Sequence, residues 1–321
     1  MVEARSEAEL VEAVRWEAPA LVLAGGSNVV IADEGVAGTV VRVLTRGVER
    51  EGARLTVAAG EPWDAVVEMC VAEGLQGFEC LSGIPGSVGA TPIQNVGAYG
   101  QEVAETVESV RVLDRSTDRV VDMSASECGF EYRSSVFKYH DRRVVLSVTF
   151  RLREGDRSAP LRYAELARAL DVQVGGVAPL AEVREAVLAL RRGKGMVIDP
   201  ADPDSVSAGS FFTNPILSAS AFEALAARAE VPPPAWPEPD GRVKTSAAWL
   251  IERAGFQRGY GDGRVGISTK HTLALVNRGG ATTAELIALA HEIAAGVRDR
   301  FGVELHPEPV LVGHEWAPFS S

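Results

Sequence analysis

The sequence predicts a mixed α+β protein with more than one domain. Apolar runs rich in Val and Ile, typical of strands, alternate with segments whose apolar spacing is typical of helices. The chain has 321 residues and 46% hydrophobic content, which is long for one domain and sufficient for two or three. We expect a separate segment from about 200 to 304.

The elements of the first half follow from local signals. Residues 6–16 predict a short amphipathic helix, and residues 21–33 predict a strand, a glycine turn and a second strand. Pro62 near the start and Gly74 at the end predict a helix over 62–74. Further strands are expected over 39–43, 54–60, 107–114 and 143–152.

The second half contains two strongly predicted helices. Residues 178–195 combine an apolar face with a basic C-terminal end, where cations are favourable. Residues 282–302 begin with Thr282 or Thr283 as a cap and end at Gly302. The remaining segments are a proline-rich loop, 231–241, and a strand-like piece, 303–313.

Composition excludes several classes of function. A net charge of −12 argues against a broad nucleic-acid surface, although local cations and backbone N–H groups still bind a small anion. Three cysteines without CxxC spacing argue against a disulfide framework or a metal site and favour a reducing compartment. The charged N-terminus excludes a signal peptide, and glycine and proline interrupt the longest uncharged run. We therefore expect a cytoplasmic protein without a membrane span, and a monomer.

Two familiar motifs are misleading here. GDGRVG (261–266) spells GxGxxG, but a helical pattern precedes it and a strand pattern follows, which is the reverse of a Rossmann unit. We interpret it as a loop or hairpin. His291 and Glu292 begin like HExxH, but Ala295 occupies the place of the second histidine.

Two glycine-rich segments carry the most chemical information. In the first, Gly25, Gly26, Ser27 and Asn28 can converge on an anion, although a plain hairpin turn is an alternative. In the second, residues 81–102, polar side chains alternate with glycines over a long stretch with no charge before Glu102. A buried loop must satisfy its backbone polar groups, and a bound pyrophosphate and heterocycle would do so. Together the segments favour a dinucleotide over structural packing alone.

Five motifs occur in the order found in one enzyme family. They are AGGSN (24–28), LSGIPGSVGATPIQNVGAYGQE (81–102), YRSSVFK (132–138), AGSFFTNP (208–215) and LHPEP (305–309). With these motifs the chain resembles the UDP-N-acetylenolpyruvoylglucosamine reductases over nearly its whole length. The resemblance implies a vanillyl-alcohol-oxidase-type (PCMH) FAD-binding fold of two subdomains plus a smaller α+β substrate-binding domain.

The resemblance also implies domain limits. The FAD-binding domain would span 1–199, with subdomains of about 1–50 and 51–199, and 305–321 would return to it. The substrate-binding domain would span 200–304.

The resemblance implies a flavin reaction. NADPH would reduce non-covalent FAD, and hydride would then pass from flavin N5 to C3 of UDP-N-acetylglucosamine enolpyruvate, giving UDP-N-acetylmuramate for peptidoglycan. The residues implied to bind FAD are Gly25, Gly26, Ser27, Asn28, Ser82, Gly83, Ile84, Pro85, Gly86, Gly89, Thr91, Gln94, Asn95, Gly97, Ala98 and Tyr99.

Three residues are implied to act on the reacting centre. Ser210 matches the family's proton donor to C2, Arg133 the arginine on the substrate carboxylate, and Glu308 a glutamate near the same centre. Without the motifs, the simpler interpretations are a turn-capping serine, an exposed salt-bridging arginine and an edge-strand charge.

Substrate contacts are implied for Tyr163, Lys194 and Asn214. Tyr163 and Lys194 would reach the diphosphate; a core aromatic at a helix start and a solvated charge are the simpler alternatives. The departures from the family pattern are Ser134, Ser207, Thr213 and Pro309. They remove none of the proposed catalytic groups.

Two rival functions stay open at this point. One is another flavoenzyme of the same fold, acting on an alcohol or sugar. Because the first histidine is His140, a histidine-linked flavin in either glycine-rich segment is excluded. The other is a nucleotide-sugar-binding regulator without turnover, although Arg133, Ser210 and Glu308 together argue against it.

Overall fold

The computed structural model describes residues 1–16 and 21–316. The chain divides into a first unit, Met1–Ser27 with Val36–Arg192, and a second unit, Asn28–Gly35 with Gly193–Ser321. Among the described residues, no helix has both the length and the apolar character that crossing a bilayer requires.

The helices are α1 (Glu7–Trp16), α2 (Trp63–Ala72), α3 (Ala164–Ala169), α4 (Leu180–Gly193), α5 (Ala219–Arg228), α6 (Ala247–Arg253) and α7 (Thr283–Phe301). The strands are β1 (Val2–Ala4), β2 (Leu21–Leu23), β3 (Val29–Ile31), β4 (Val40–Val43), β5 (Val48–Glu51), β6 (Arg54–Ala58), β7 (Leu75–Gln76), β8 (Gly97–Ala98), β9 (Gln101–Glu102), β10 (Val107–Asp114), β11 (Arg119–Ser124), β12 (Arg143–Arg151), β13 (Arg153–Glu154), β14 (Ser207–Ser210), β15 (Ile216–Leu217), β16 (Trp236–Pro237), β17 (Val243–Lys244), β18 (Val265–Ile267), β19 (Ala274–Asn277) and β20 (Val310–Val312).

The first unit is built around an antiparallel sheet in the order β11-β10-β12-β6-β5. Its core contains a fully buried aromatic cluster. The ring centroid of Phe78 lies 4.8 Å from that of Trp63 and 5.0 Å from that of Phe150. Edge-to-face packing of such rings adds to the free energy gained by burying them. A smaller parallel sheet, β1-β4-β2, completes the unit.

The second unit contains two three-stranded antiparallel sheets, β14-β19-β18 and β15-β17-β16. Helix α7 packs its buried face into the core of this unit. Its N-terminus is closed by a capping box between Thr282 and Glu285, and Gly302 ends it in the left-handed conformation with φ of 71°. The predicted caps of this helix are confirmed.

Most local predictions are confirmed within a few residues, and the α+β class is confirmed as well. The predicted strands at 21–33 exist, but β2 and β3 do not form a hairpin. Instead β2 pairs in parallel with β4, and β3 pairs in parallel with β20. Over 303–313 only Val310–Val312 is strand. Helix α5 and strands β5 and β11 were not predicted.

The predicted domain limits stay a prediction. Residues 305–321 were expected to return to the FAD-binding domain; in the division by contacts, the described residues 305–316 group with the second unit. The reason is the ladder between β20 and β3, because Val29–Ile31 itself belongs to the second unit. The assignment of a cofactor or a substrate to each domain stays a prediction.

The GDGRVG segment forms the predicted loop before an antiparallel strand pair, β18 and β19. The guanidinium of Arg278 binds the backbone carbonyls of Gly259 and Gly261 in this loop. A Cβ at Gly266 would lie only 2.2 Å from Nη2 of Arg278. The backbone carbonyls of this loop therefore face the cationic side chain of Arg278. A phosphate-binding loop would instead present backbone N–H donors.

Candidate active site

Residues 25–27 of the first glycine-rich segment lie against the second segment in the first unit. A Cβ at Gly25 would be 3.0 Å from Cα of Gly86, so the two backbones approach closely. The hydroxyl of Ser27 donates a hydrogen bond to the carbonyl of Pro85 at 3.2 Å. Segments separated by about sixty residues in sequence thus form one backbone-lined surface, as a shared ligand would require.

An ion pair holds the start of the second glycine segment. The carboxylate of Asp64 accepts from the N–H of Gly83 at 2.6 Å and from both terminal nitrogens of Arg184 at 2.7 and 3.0 Å. Burial by itself would raise the pKa of Asp64, but the hydrogen bonds from Arg184 and Gly83 outweigh it and the pKa lies below its ordinary value. Sequence analysis missed this pair because its members are far apart in sequence.

A buried carboxylate ties the loop together from behind. Glu79 is 1% exposed and accepts hydrogen bonds from Gly77 N–H, the Gln101 amide and Ala159 N–H. The side-chain Oε1 of Gln101 in turn accepts from Cys80 N–H at 2.9 Å. The Glu79 carboxylate therefore fixes Gly77, just before the long uncharged loop, and Gln101, near its end. These contacts hold the loop in a defined conformation.

Three non-glycine residues near this loop have a left-handed backbone: Asn95 with φ of 44°, Tyr99 with 49° and Arg133 with 54°. Such conformations cost free energy and concentrate at functional sites. The buried Asn95 is held by its side chain, which donates to Glu131 O and accepts from Ala104 N–H.

Arg133 reaches the second glycine segment directly. Its Nη2 donates to the carbonyl of Gly97 at 2.6 Å, and a Cβ at Gly97 would lie 3.0 Å from Nη1. The structure thus places the guanidinium of Arg133 against the backbone of Gly97. A fixed guanidinium is suited to a planar carboxylate.

Tyr99 and Tyr163 form an edge-to-face pair with ring centroids 5.4 Å apart. Burial raises the pKa of Tyr99 to about 12, against an opposing effect of the positive Arg191. Tyr163 directly precedes α3 but is 43% exposed, so it is not a core aromatic. Arg191 is buried.

In the second unit, Oγ of Ser210 lies 3.4 Å from Nε2 of His271. Ser210 ends β14, and the following Phe211 and Phe212 are buried. His271 is positioned by its N–H, which donates to Ser268 Oγ at 3.2 Å. Sequence analysis did not identify His271. It lies close to Ser210 because strand β14, which Ser210 ends, pairs with strand β19.

The structure brings Glu308 to the same part of the second unit. Its N–H donates to the carbonyl of Phe211, the residue after Ser210, at 2.8 Å. The amide of Asn28, one of the predicted cofactor-binding residues, donates to the carbonyl of Glu308 at 3.4 Å. Two predicted catalytic residues are therefore neighbours in one unit.

The predicted substrate contacts of the second unit have different settings. Lys194 follows α4 and is half-buried. The side-chain Oδ1 of Asn214 accepts from Ala247 N–H at 2.9 Å, at the start of α6. Asn214 thus has a structural contact in addition to its predicted one. These substrate roles stay predictions.

Comparison with known proteins identifies the family. A UDP-N-acetylenolpyruvoylglucosamine reductase from Thermobifida fusca (strain YX) is 61% identical to this chain over 306 residues, covering 92% of this chain and 86% of the relative. The chain belongs to the UDP-N-acetylenolpyruvoylglucosamine reductase family. A relative of the same name from Streptomyces avermitilis is 55% identical and covers 98% of this chain and 90% of its own length.

Two family models match in the expected order: an FAD binding domain over residues 1–124, and a UDP-N-acetylenolpyruvoylglucosamine reductase C-terminal domain over 200–312. The crystal structure of the reductase from Thermus caldophilus has a TM-score of 0.67 and 25% identity, covering 97% of this chain and 91% of that one. The predicted PCMH-type fold with its additional α+β domain is confirmed, and this family member is an FAD-dependent oxidoreductase.

The first unit has the properties that FAD requires. Between Cys80 and Gln101 the chain carries no charged side chain to repel a pyrophosphate. Side chains at Gly25 or Gly86 would fill the space between the two glycine segments, so backbone can approach a ligand there. That the two segments hold FAD, with backbone N–H groups and hydroxyls as donors, stays a prediction.

Proposed function

We propose that this chain reduces UDP-N-acetylglucosamine enolpyruvate to UDP-N-acetylmuramate with NADPH as electron donor, in peptidoglycan precursor synthesis. The observation that carries the proposal is 61% identity over 92% of the chain to a reductase of that name. The cytoplasmic location and the monomeric state belong to the same proposal, and the location rests on the composition of the sequence alone.

The chemistry assigns clear tasks to the protein. When bound, FAD supplies the hydride that reaches C3 of the enol ether. Negative charge then develops at C2 and on the adjacent carboxylate, so the chain must stabilise that charge and deliver a proton to C2.

Arg133 is proposed to bind the substrate carboxylate. Its guanidinium is already oriented by the Gly97 carbonyl, so little side-chain freedom is lost when an anion binds. A delocalised, permanently charged group also stabilises the developing enolate without exchanging a proton.

Ser210 is proposed to protonate C2. A serine hydroxyl is a poor acid in water, so neighbouring groups must assist it. The support is local: the next two residues, Phe211 and Phe212, are buried, and Nε2 of His271 lies 3.4 Å from the hydroxyl. Glu308, held next to Phe211 by its backbone, is proposed to act near the same centre.

Tyr163, Lys194 and Asn214 are proposed to contact the nucleotide part of the substrate. Lys194 is half-buried in an otherwise acidic protein, which supports a role in binding the diphosphate.

The experiment is to record the visible spectrum of the purified protein and then follow NADPH oxidation with and without the enolpyruvyl substrate. UDP-N-acetylglucosamine, which lacks the enolpyruvyl group, is the control. Flavin absorbance with oxidation that depends on the enolpyruvyl group supports the proposal. Flavin without that dependence would indicate another reaction, and folded protein without flavin would contradict the proposal.

A further inference from the structure

Arg133 occupies a turn position that suits a different residue. Glu131 and Ser134 exchange backbone hydrogen bonds at 3.0 and 3.2 Å, so Tyr132 and Arg133 are the central residues of a tight turn. Only the second of them has positive φ, at 54°. This pattern is typical of a type II turn, where glycine or asparagine is preferred at that position. An arginine there is strained, and strain of this kind must be maintained by its surroundings.

Lys138 supplies such a contact. Its Nζ donates to the carbonyl of Arg133 at 3.0 Å, and the residue is only 6% exposed. Burying an ammonium group is costly unless it is hydrogen-bonded, so this contact is a specific one. The ammonium also lies 5.0 Å from the centre of the Tyr139 ring, a favourable cation–π distance.

The backbone that carries Lys138 is itself fixed. The hydroxyl of Ser135 donates to the Ile93 carbonyl at 2.7 Å and accepts from Phe137 N–H at 3.1 Å. Phe137 is buried in the core of the first unit. The lysine therefore extends from an anchored segment to the carbonyl of the strained residue.

We propose that Lys138 is a positioning residue for Arg133. By holding the Arg133 carbonyl, the ammonium stabilises the left-handed backbone, which sets the direction of the Arg133 side chain towards Gly97. Without it, the turn relaxes to negative φ and the guanidinium leaves that direction. The inference rests on the proposed role of Arg133 in binding the substrate carboxylate.

The test compares Lys138→Met with wild type in the two half-reactions by stopped flow. We expect unchanged flavin content and unchanged flavin reduction by NADPH. Oxidation of the reduced flavin by the enolpyruvyl substrate should slow by roughly tenfold to a hundredfold, the range for losing one hydrogen bond to a charged group. Lys244→Met, which removes a half-buried lysine of the second unit, is the matched control and should leave both rates unchanged.

A double-mutant cycle separates positioning from general stabilisation. In an Arg133→Met background, Lys138→Met should cause no further loss of substrate reduction. An equal loss in both backgrounds would overturn the inference, because Lys138 would then act elsewhere. If Arg133→Met itself leaves substrate reduction intact, the proposed role of Arg133 fails. If Arg133→Met abolishes substrate reduction but Lys138→Met leaves it unchanged, only the inference about Lys138 fails.

A second variant covers the case in which Lys138→Met does not fold. Lys138→Gln keeps a neutral hydrogen-bond donor and should retain flavin, with a smaller loss of substrate reduction. Loss of flavin binding in Lys138→Gln would show a purely structural role and overturn the inference.

Discussion

The hydroxyl of Ser210 lies 3.4 Å from Nε2 of His271, although 61 residues separate them in sequence. The pairing of β14 with β19 brings them together, since Ser210 is opposite Ala274 in the ladder. The N–H of Ala274 donates to the His271 carbonyl at 3.1 Å, which closes the turn that carries the imidazole. The partner of the proposed proton donor is thus placed by a strand register.

Replacing Ser210 by alanine should separate the two half-reactions. We expect NADPH to reduce the flavin at the wild-type rate. Reduction of the enolpyruvyl substrate should fall by roughly 10²- to 10⁴-fold, the usual contribution of a positioned acid. Stopped-flow absorbance of the flavin measures both steps. Ser220→Ala, an exposed serine of the same unit, is the control. Equal loss of both half-reactions would instead show that Ser210 is structural.

Replacing Lys194 by alanine should mainly weaken substrate binding. If the ammonium contacts the diphosphate in ground state and transition state alike, KM rises by about tenfold while kcat is nearly unchanged. Steady-state kinetics with varied substrate measures both parameters. Arg192→Ala removes a neighbouring exposed cation and should have little effect. An unchanged KM for Lys194→Ala would refute its role.

Replacing Gly25 by alanine should weaken FAD binding. The new Cβ would lie 3.0 Å from Cα of Gly86, and backbone cannot yield as a flexible side chain does. We expect FAD affinity to fall by about tenfold, measured by flavin fluorescence on titration of the apoprotein. A Cβ at Gly155 meets nothing within 4 Å, so Gly155→Ala is the matched control. Equal affinities for the two variants would show that the close approach does not shape the site.

Replacing Asp64 by asparagine should cause a pH-dependent loss of stability. The folded-state pKa lies below the ordinary 3.8, so the carboxylate stabilises the fold above that pH, and its contribution is lost as pH falls through the folded pKa. Because the side chain is 38% exposed, solvent screening limits the effect to about 1 kcal/mol at neutral pH.

Urea unfolding at pH 7 and at pH 2.5 measures this difference. Wild type should be more stable than Asp64→Asn at pH 7, and the difference should be smaller at pH 2.5. Glu68→Gln is the control, since Glu68 is 71% exposed and lies 3.8 Å from the same Arg184. A difference that persists unchanged at pH 2.5 would show that the carboxylate charge is not its cause.

Local elements of this protein were predictable because their signals lie within a few residues. The capping box of α7 needs only Thr282 and Glu285, three positions apart, and its end needs only Gly302. The two glycine-rich segments were recognisable for a similar reason, since glycines and uncharged donors in one run are visible without tertiary information. The long motifs then allowed the family to be recognised.

The site itself depended on contacts that no local pattern encodes. Asn28 is expected to act together with Gly25 and Gly26, and that role stays a prediction; its hydrogen bond to the Glu308 carbonyl could not be read from the sequence. The sequence analysis singled out neither Glu79 nor Asp64. Their hydrogen bonds to Gly77, Gly83 and Ala159 became evident only in three dimensions.

The sequence by itself determined the class of fold, the main helices and the motifs of the cofactor loop, because these depend on residue type and short spacing. Only the tertiary structure decided that β3 pairs with β20, that His271 adjoins Ser210 and that Lys138 holds Arg133. Such pairings are selected by many weak contacts summed over the whole chain, and a partner distant in sequence leaves no periodic signal.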